Sequence, residues 1–548
     1  MIGLSMSGPP ADVLPFETLH QPVSPLFLDY LAGRSRVAPF LGEAGFGLDA
    51  IQRAAERTVA HSRQRETVAG ALARQQEERG AERAAARARQ LADADTVAVV
   101  TGQQAGLFGG PLFVLHKALA ILEVSRRLTE EHGRTAIPVF WVAADDHDFA
   151  EIRSTSVLDG SGAIRLLRYS PQHEPVGQPA FTIVLDDTMT RLVDELAEAL
   201  PPSPHRDEMI GVVSQCYRPG ETLSGAFARL LSQLFPDLVV LDSSDPALKT
   251  AVAPVLAREV TESSPTSRLA LEAGKALLAA GYHQQVPVRD GFLNLFMLAE
   301  GKRRALGLID GGLEIRGVGT RMTVAEALGR IETDPGLWSP NALLRPLAQD
   351  ALLPTAAYVG GPAEVAYHAQ IGSSYAHFGV PRPVIIPRPS VTVVEPAQGR
   401  ALEAEGLSLP DLAGDPEAVV ARWARHTYPD VETAFAQARN SIEREMGEVE
   451  ERLAALDPTL RAATASARGR ALHQVDGLHE KAMRVLKKRD QGRAARLRRS
   501  RDALFPGGAF QERGLGLLGL VARRGRGLLT ELQERVDPFA RGHQVVRL

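Results

Sequence analysis

Val97-Ala-Val-Val-Thr-Gly-Gln-Gln-Ala-Gly-Leu-Phe-Gly-Gly-Pro-Leu-Phe-Val-Leu-His-Lys-Ala118 is the stretch on which the reading of this chain turns. Thr96 to Val100 is an apolar, β-branched run and predicts a buried strand. A loop carrying Gly102, Gly106, Gly109 and Gly110 follows. Pro111 then opens a helix in which Leu112, Leu115, Leu119 and Leu122 recur at helical spacing, proline being tolerated where its missing N–H would be unpaired anyway. Strand, glycine loop and helix N-terminus together make a place for an anion: small residues let the backbone approach, and free N–H groups and the helix dipole point at it. The glycine spacing is neither Gly-x-Gly-x-x-Gly nor a Walker loop.

Outward from this block, the helix ends near Glu131-His-Gly-Arg134, and Ile137-Pro-Val-Phe-Trp-Val-Ala-Ala144 predicts a second strand. The pair should be parallel with a right-handed crossover. The second strand runs into Asp145-Asp-His-Asp148, where open α/β sheets bind ligands, so the loops 102–110 and 145–149 are expected side by side. The bland alternatives are a tight connection for the glycines and helix capping for the acids. The same grammar returns twice. Leu238-Val-Val-Leu-Asp-Ser-Ser-Asp-Pro246 is a strand ending in carboxylates, and Ala356-Ala-Tyr-Val-Gly-Gly-Pro-Ala-Glu-Val-Ala-Tyr-His368 is a strand, a glycine turn and a proline-led helix. A last strand, Val384-Ile-Ile386, leads to Pro387-Arg-Pro-Ser390. The fold class expected is α/β, a Rossmann-like, doubly wound parallel sheet with inserted connecting subdomains. The insertions should fall near 155–230 and 286–330, the second built of antiparallel strands.

At 548 residues the chain exceeds one hydrophobic core, and two or three domains are expected. A core over 1–395 and a helical domain over 396–548 fit the change in composition. In the latter, Ile442, Met446, Val449, Leu453 and Leu456 are spaced 4, 3, 4, 3, a coiled-coil seam that Asp457-Pro458 breaks. Leu472, Val475, Leu478, Ala482 and Val485 make the returning helix of an antiparallel hairpin, for which a partner subunit is a good candidate. The basic run from Lys481 to Arg501 reads first as a solvated helix face, then as a site for a phosphorylated small molecule. Nucleic acid comes last, since no aromatics interleave the charges and the net charge is −4. The apolar tail from Gly514 is expected to pack back on the core. The single cysteine, Cys216, excludes an internal disulfide framework. No signal peptide or transmembrane stretch is visible, so the expected compartment is the cytoplasm, away from any membrane.

Thr101 to Lys117, followed by Pro138-Val-Phe-Trp-Val-Ala-Ala-Asp-Asp-His-Asp-Phe149, closely resembles the bacillithiol-biosynthesis cysteine-adding enzyme family. Asp242-Ser-Ser-Asp-Pro246, Ser339-Pro-Asn341 with Arg345-Pro346, Gly361-Pro-Ala-Glu-Val-Ala-Tyr367 and Phe505-Pro-Gly-Gly-Ala-Phe-Gln-Glu-Arg513 follow in the family's order. Two departures stand out: Ala144-Asp145 replaces the more usual Gly-Glu, and Ala363 replaces the Gly that usually precedes Glu364. The resemblance implies a Rossmann-like core with connecting insertions and a coiled-coil domain that makes a homodimer. It also implies the last step of bacillithiol synthesis, the joining of L-cysteine to glucosaminyl-malate through an amide bond.

An amide made from a carboxylate needs an activated acyl group, normally a phosphate or adenylate, so ATP with Mg²⁺ is a candidate activator. Pro111-x-x-x-x-His116 has the spacing of the first half of the class I synthetase signature, in which a helix-borne histidine stabilises charge developing on phosphate. Leu119 stands where the second histidine of that signature would be. Asp146, His147 and Asp148 could meet a substrate ammonium or Mg²⁺, the acids orienting His147 as a general base. The expected catalytic residues are therefore His116, His147, Asp146 and Asp148, with no resident metal site. Substrate or nucleotide is expected on Gly102, Gln103, Gln104, Gly106, Lys117, Asn341, Arg345, Gly361, Glu364, Tyr367, Arg388 and Ser390. The rival readings are another class I synthetase-like nucleotide-dependent acyl or nucleotidyl transferase, a zinc hydrolase without a recognisable distal ligand set, and a non-catalytic coiled-coil scaffold.

Overall fold

The computed structural model describes residues 10–42 and 45–548, and the chain divides into two compact units. The first holds residues 10–16, Pro22–Thr392 and Gln511–Val546; the second holds Glu17–Gln21, Val393–Phe510 and Arg547–Leu548.

A five-stranded parallel sheet forms the centre of the first unit. Its spatial order is Val384–Pro387, Thr355–Gly360, Val97–Gln103, Ala136–Val142, Val239–Asp242. Residues 97–102 and 136–142 are buried without alternation, as expected of strands covered on both faces. The helix Phe113–His132 makes the first crossover. The chain first builds the sheet outward from Val97–Gln103 to Val239–Asp242. It then returns to the other side of Val97–Gln103 to add Thr355–Gly360 and Val384–Pro387. That reversal is a topological switch point, and it lies between Val97–Gln103 and Thr355–Gly360. The α/β, Rossmann-like expectation holds.

The first crossover helix begins at Phe113, two residues later than the proline predicted. Pro111 instead pairs with Gly516, and the Leu112 N–H donates to the Leu515 carbonyl at 2.7 Å. Between the second and third core strands lie the hairpin Ser154–Leu158/Ile164–Arg168 and the helices Thr188–Ala199, Arg206–Cys216 and Leu223–Leu234. The later insertion is an antiparallel sheet of Phe292–Ala299, Lys302–Ile309, Gly312–Ile315 and Arg321–Thr323, with Trp338–Pro340 added beside Phe292–Ala299. It thus runs to Pro340, beyond the expected 330.

In the second unit, helices Pro429–Leu456 and Leu460–Arg489 pack as a hairpin. Ile442, Met446 and Leu453 are half-buried, whereas Val449, Leu456, Leu478 and Val485 are exposed. Part of the basic run is occupied within the unit: Arg493 pairs with Glu405, Arg498 with Glu417, and Arg501 donates to the Gly414 carbonyl. Among the described residues no helix is long and apolar enough to cross a membrane.

Candidate active site

A cleft of about 660 Å³ opens outside the carboxyl ends of the parallel strands. Gly102, Gln103 and Gln104 come from the end of the Val97–Gln103 strand, and Gly361 and Glu364 from the turn after Thr355–Gly360, so the switch point runs through its floor. The antiparallel insertion contributes Phe296 and Arg303, and the loop after Pro340 contributes Asn341 and Arg345.

The floor is a closed polar network. Lys117 is buried, and its ammonium reaches the Gly102 carbonyl at 2.7 Å, Gln103 Oε1 at 3.0 Å and Glu364 Oε2 at 2.6 Å. Glu364 is the third residue of the helix Pro362–Gln370 and reaches back to the Gly361 N–H at 2.7 Å. It also accepts from the Tyr358 hydroxyl at 2.6 Å. Burial opposes its charge, but Lys117 and these donors outweigh burial and hold its carboxyl below the ordinary range.

Charge is sorted across the cleft. At one end stand Lys117, Arg345, Arg388 and Arg513, four cations against two carboxylates, Glu364 and the buried Glu512 behind Arg388. Arg345 is held by neutral groups, the Tyr367 hydroxyl at 2.7 Å and Gln349 at 2.9 Å. The Asn341 amide carbonyl accepts the N–H groups of Leu343 and Leu344, which fixes the turn that presents Arg345. At the other end stand Asp145, Asp146 and Glu151 with Arg303, and Lys249 is paired with Asp145 without lining the cleft. Lys249 is buried and binds Asp145 at 2.7 Å, and the Ser243 hydroxyl donates to Asp145 at 3.1 Å. The Gln104 amide bridges Asp146 at 2.6 Å and Glu151 at 2.9 Å. Arg388 follows the outer Val384–Pro387 strand and Asp145 follows Ala136–Val142, three strands away in the sheet. At the usual inter-strand spacing the ends are roughly 14 Å apart.

The chain matches two family models: the BshC N-terminal Rossmann-like domain of bacillithiol biosynthesis over residues 13–389, and the BshC C-terminal coiled-coil domain over residues 391–548. The chain belongs to the BshC family of bacillithiol biosynthesis. Among its relatives, a protein of Salinibacter ruber is 34% identical over 526 residues, covering 95% of this chain and 96% of the relative. One of Solibacter usitatus is 32% identical over 528 residues, covering 95% and 97%. One of Koribacter versatilis is 34% identical over 455 residues, covering 82% and 84%. Each bears the name "Putative cysteine ligase BshC".

In this chain the expected site residues divide. Gly102, Gln103, Gln104, Lys117, Asp146, Asn341, Arg345, Gly361, Glu364, Tyr367 and Arg388 line the cleft together. His116, His147, Asp148, Gly106 and Ser390 are not among the lining residues.

His116 is buried one residue before Lys117, and successive helical residues point about 100° apart, so only one of the two can face the cleft. Its Nδ1 lies 3.4 Å from Glu512, at ion-pair distance without a formed hydrogen bond. Burial pushes the imidazole pKa down, against the pull of Glu512. Gly106 is buried, and a Cβ there would meet Gly110 at 2.8 Å. The Gly106–Gly110 loop holds the chain's own C-terminal segment: a Cβ on Gly109 would meet Leu517 at 2.6 Å, and the Leu517 N–H donates to the Gly110 carbonyl. Those glycines serve this close approach and do not line the ligand cleft.

Asp148 caps the short helix Phe149–Ile152 by accepting the Glu151 N–H at 3.2 Å. Ser390 is buried against His543, Oγ to Nδ1 2.9 Å. His147 has its Nδ1 3.3 Å from Arg303 and 3.8 Å from Asp146, its ring beside Phe296. A guanidinium only donates, so the Nδ1 lone pair is engaged and the neutral ring carries its proton on Nε2. With its Nδ1 lone pair taken by Arg303, the ring in this arrangement has no free lone pair to act as a general base. Burial, then Arg303, holds its pKa below the ordinary value.

Lys249, Arg303, Glu151 and Arg513 were not legible as site residues. They come from the first turn of the helix Pro246–Thr261, a strand of the inserted sheet, the short helix Phe149–Ile152 and the C-terminal segment. Arg513 alone had a signal, its place in the family block ending at 513.

Proposed function

We propose that this cleft joins L-cysteine to glucosaminyl-malate through an amide bond, the last step of bacillithiol synthesis. The observation that carries the reading is the sorted charge. A dicarboxylate suits the end with Arg345, Arg388 and Arg513, and an ammonium suits the end with Asp146 and Glu151. Glucosaminyl-malate has that pattern, two carboxylates on the malyl group and an amine on the sugar. Charge-assisted, bidentate arginine contacts would fix the malyl end. Before attack the ammonium must lose a proton. Asp146, whose carboxylate accepts from Gln104 and from the His147 N–H, is the group we assign to receive it. The amine nitrogen then bonds to the cysteine carbonyl carbon, and the activating group leaves with the electron pair of the bond that breaks.

ATP with Mg²⁺ is the activator we propose, from the demand of the bond alone. The residues first expected to serve it do not fit: the Gly106–Gly110 loop holds Leu517, and His116 faces Glu512. The exposed apolar residues of the hairpin, Val449, Leu456, Leu478 and Val485, favour a homodimer through that element.

Complementation tests the reading in cells. A bacillithiol-deficient strain carrying this chain should regain the thiol, and the Arg345→Met variant should not. Absence of the thiol with the intact, well-expressed chain would contradict it.

A further inference from the structure

The turn Gln511–Gly514 enters the cleft from the far end of the sequence, after the whole coiled-coil excursion. It is anchored on both sides. The Leu515 N–H donates to the Gln511 carbonyl at 3.1 Å, and Leu515 to Leu517 are strapped to Leu112 and Gly110 of the glycine loop. Gly516 lies so close to the first inserted hairpin that a Cβ would meet Thr155 at 2.2 Å. The turn presents two charged side chains to different surroundings. Glu512 points inward and is buried, and Arg513 is exposed and lines the cleft.

Glu512 is fully engaged. One carboxylate oxygen accepts from Arg388 at 2.5 Å; the other accepts the Val391 N–H at 2.8 Å and faces His116 at 3.4 Å. Arg388 in turn has its guanidinium 5.1 Å from the Phe113 ring and lines the cleft. A buried carboxylate thus grips the back of a guanidinium whose front faces the ligand space. Arg513 makes no hydrogen bond or salt bridge with another described residue, and Glu512 and Glu364 act on its charge only from a distance.

We infer that the C-terminal turn Gln511–Gly514 is part of the substrate-binding machinery: Arg513 is a binding residue for the anionic end of the substrate, and Glu512 is a positioning residue that aims Arg388 at the same end. The inference rests on the proposed reading of that end as the place of the malyl carboxylates. It gives the glycine loop a purpose in place of phosphate binding, since Gly106–Gly110 seats the segment that completes the anion end.

The test uses the full chain and steady-state kinetics with cysteine and ATP saturating. Glu512→Gln keeps the shape and one acceptor but removes the charge that anchors Arg388. A charge-assisted hydrogen bond is worth a factor of roughly 10 to 100 in binding. Glu512→Gln should therefore raise KM for glucosaminyl-malate by about that factor, leaving KM for cysteine within about twofold. In an Arg388→Met background the same change should add almost nothing, because the residue through which it acts is gone. A wild-type KM in Glu512→Gln would overturn the inference. So would effects that multiply in the double variant, or an equal rise in both KM values with a lower Tm.

If Glu512→Gln fails to fold, the exposed Arg513→Ala carries the test. A rise of about tenfold or more in the glucosaminyl-malate KM supports the inference, and an unchanged KM overturns it. If the wild-type chain makes no product from these substrates, the proposed reaction fails. The inference is then read by calorimetry with L-malate: weaker binding by Glu512→Gln than by wild type supports it, and equal binding overturns it.

Discussion

The Lys117 ammonium lies 2.6 Å from the Glu364 carboxylate, and the two residues belong to helices on opposite sides of the switch point. The pair joins the loop after the first strand to the loop after the fourth. Its remaining bonds, to the Gly102 carbonyl, Gln103, Tyr358 and the Gly361 N–H, leave neither charge unsatisfied. Of these contacts only the Lys117–Glu364 pair crosses between the two strands, so opening the sheet at its binding edge would break that pair and leave two buried charges apart.

Breaking one half of this pair strands a buried charge. Lys117→Met should cost about 3–5 kcal/mol in urea unfolding. The double variant Lys117→Met/Glu364→Gln should recover part of that loss, since no uncompensated charge remains. Strict additivity of the two single losses would show that the pair is not coupled.

His116→Ala should behave as the loss of a packed, neutral histidine. Stability should fall by about 1–3 kcal/mol, and the turnover of surviving protein should stay above the 10²–10³-fold loss typical of removing an oxyanion donor. Stopped-assay turnover beside thermal melting separates the two. Near-complete loss of turnover at an unchanged Tm would return His116 to the chemistry.

Acid should destabilise the first unit through its buried histidines. Burial pushes His543 down to about 4, while it bonds to Ser390 and Thr392 as the neutral ring. An unfolded chain takes that proton near 6.5, so between those values the unfolded state binds more protons. The contribution is complete above 6.5 and is lost as pH falls toward 4, by about 3 kcal/mol over the window. His116 and His368 are depressed by burial and act with the same sign. Urea midpoints at pH 7 and pH 5 should differ less in His543→Gln than in wild type; an equal difference would remove His543 from the account.

Deleting 430–489 and closing the gap with a short linker should give a monomer that retains the first unit's fold. Light scattering reads the mass and circular dichroism the fold. A dimer of unchanged stability would place the interface outside the hairpin.

The parallel sheet and its binding edge were legible because continuous apolar runs such as Val97–Val100 and Val139–Val142 are the mark of strands buried on both faces. Of the glycine loop, Gly102 lines the cleft as the sequence leads one to expect, whereas Gly106–Gly110 seats Leu517. A close approach of backbone to backbone and a close approach of backbone to phosphate place the same demand on sequence, and only the position of Leu517 separates them. Which of His116 and Lys117 faces the cleft depends on the phase of one helix, which its packing sets and no local pattern around the two residues reports. Arg303 and Arg513 reach the site from segments distant in sequence, and no local pattern reports such convergence.

The central claim is tested most directly by incubating the purified chain with L-cysteine, glucosaminyl-malate, ATP and Mg²⁺ and following bacillithiol by mass spectrometry. The account predicts time-dependent product that requires both substrates and ATP and is sharply reduced in Arg345→Met and Asp146→Asn. A folded wild-type chain that forms no bacillithiol under these conditions would contradict it, as would product formation unaffected by both substitutions.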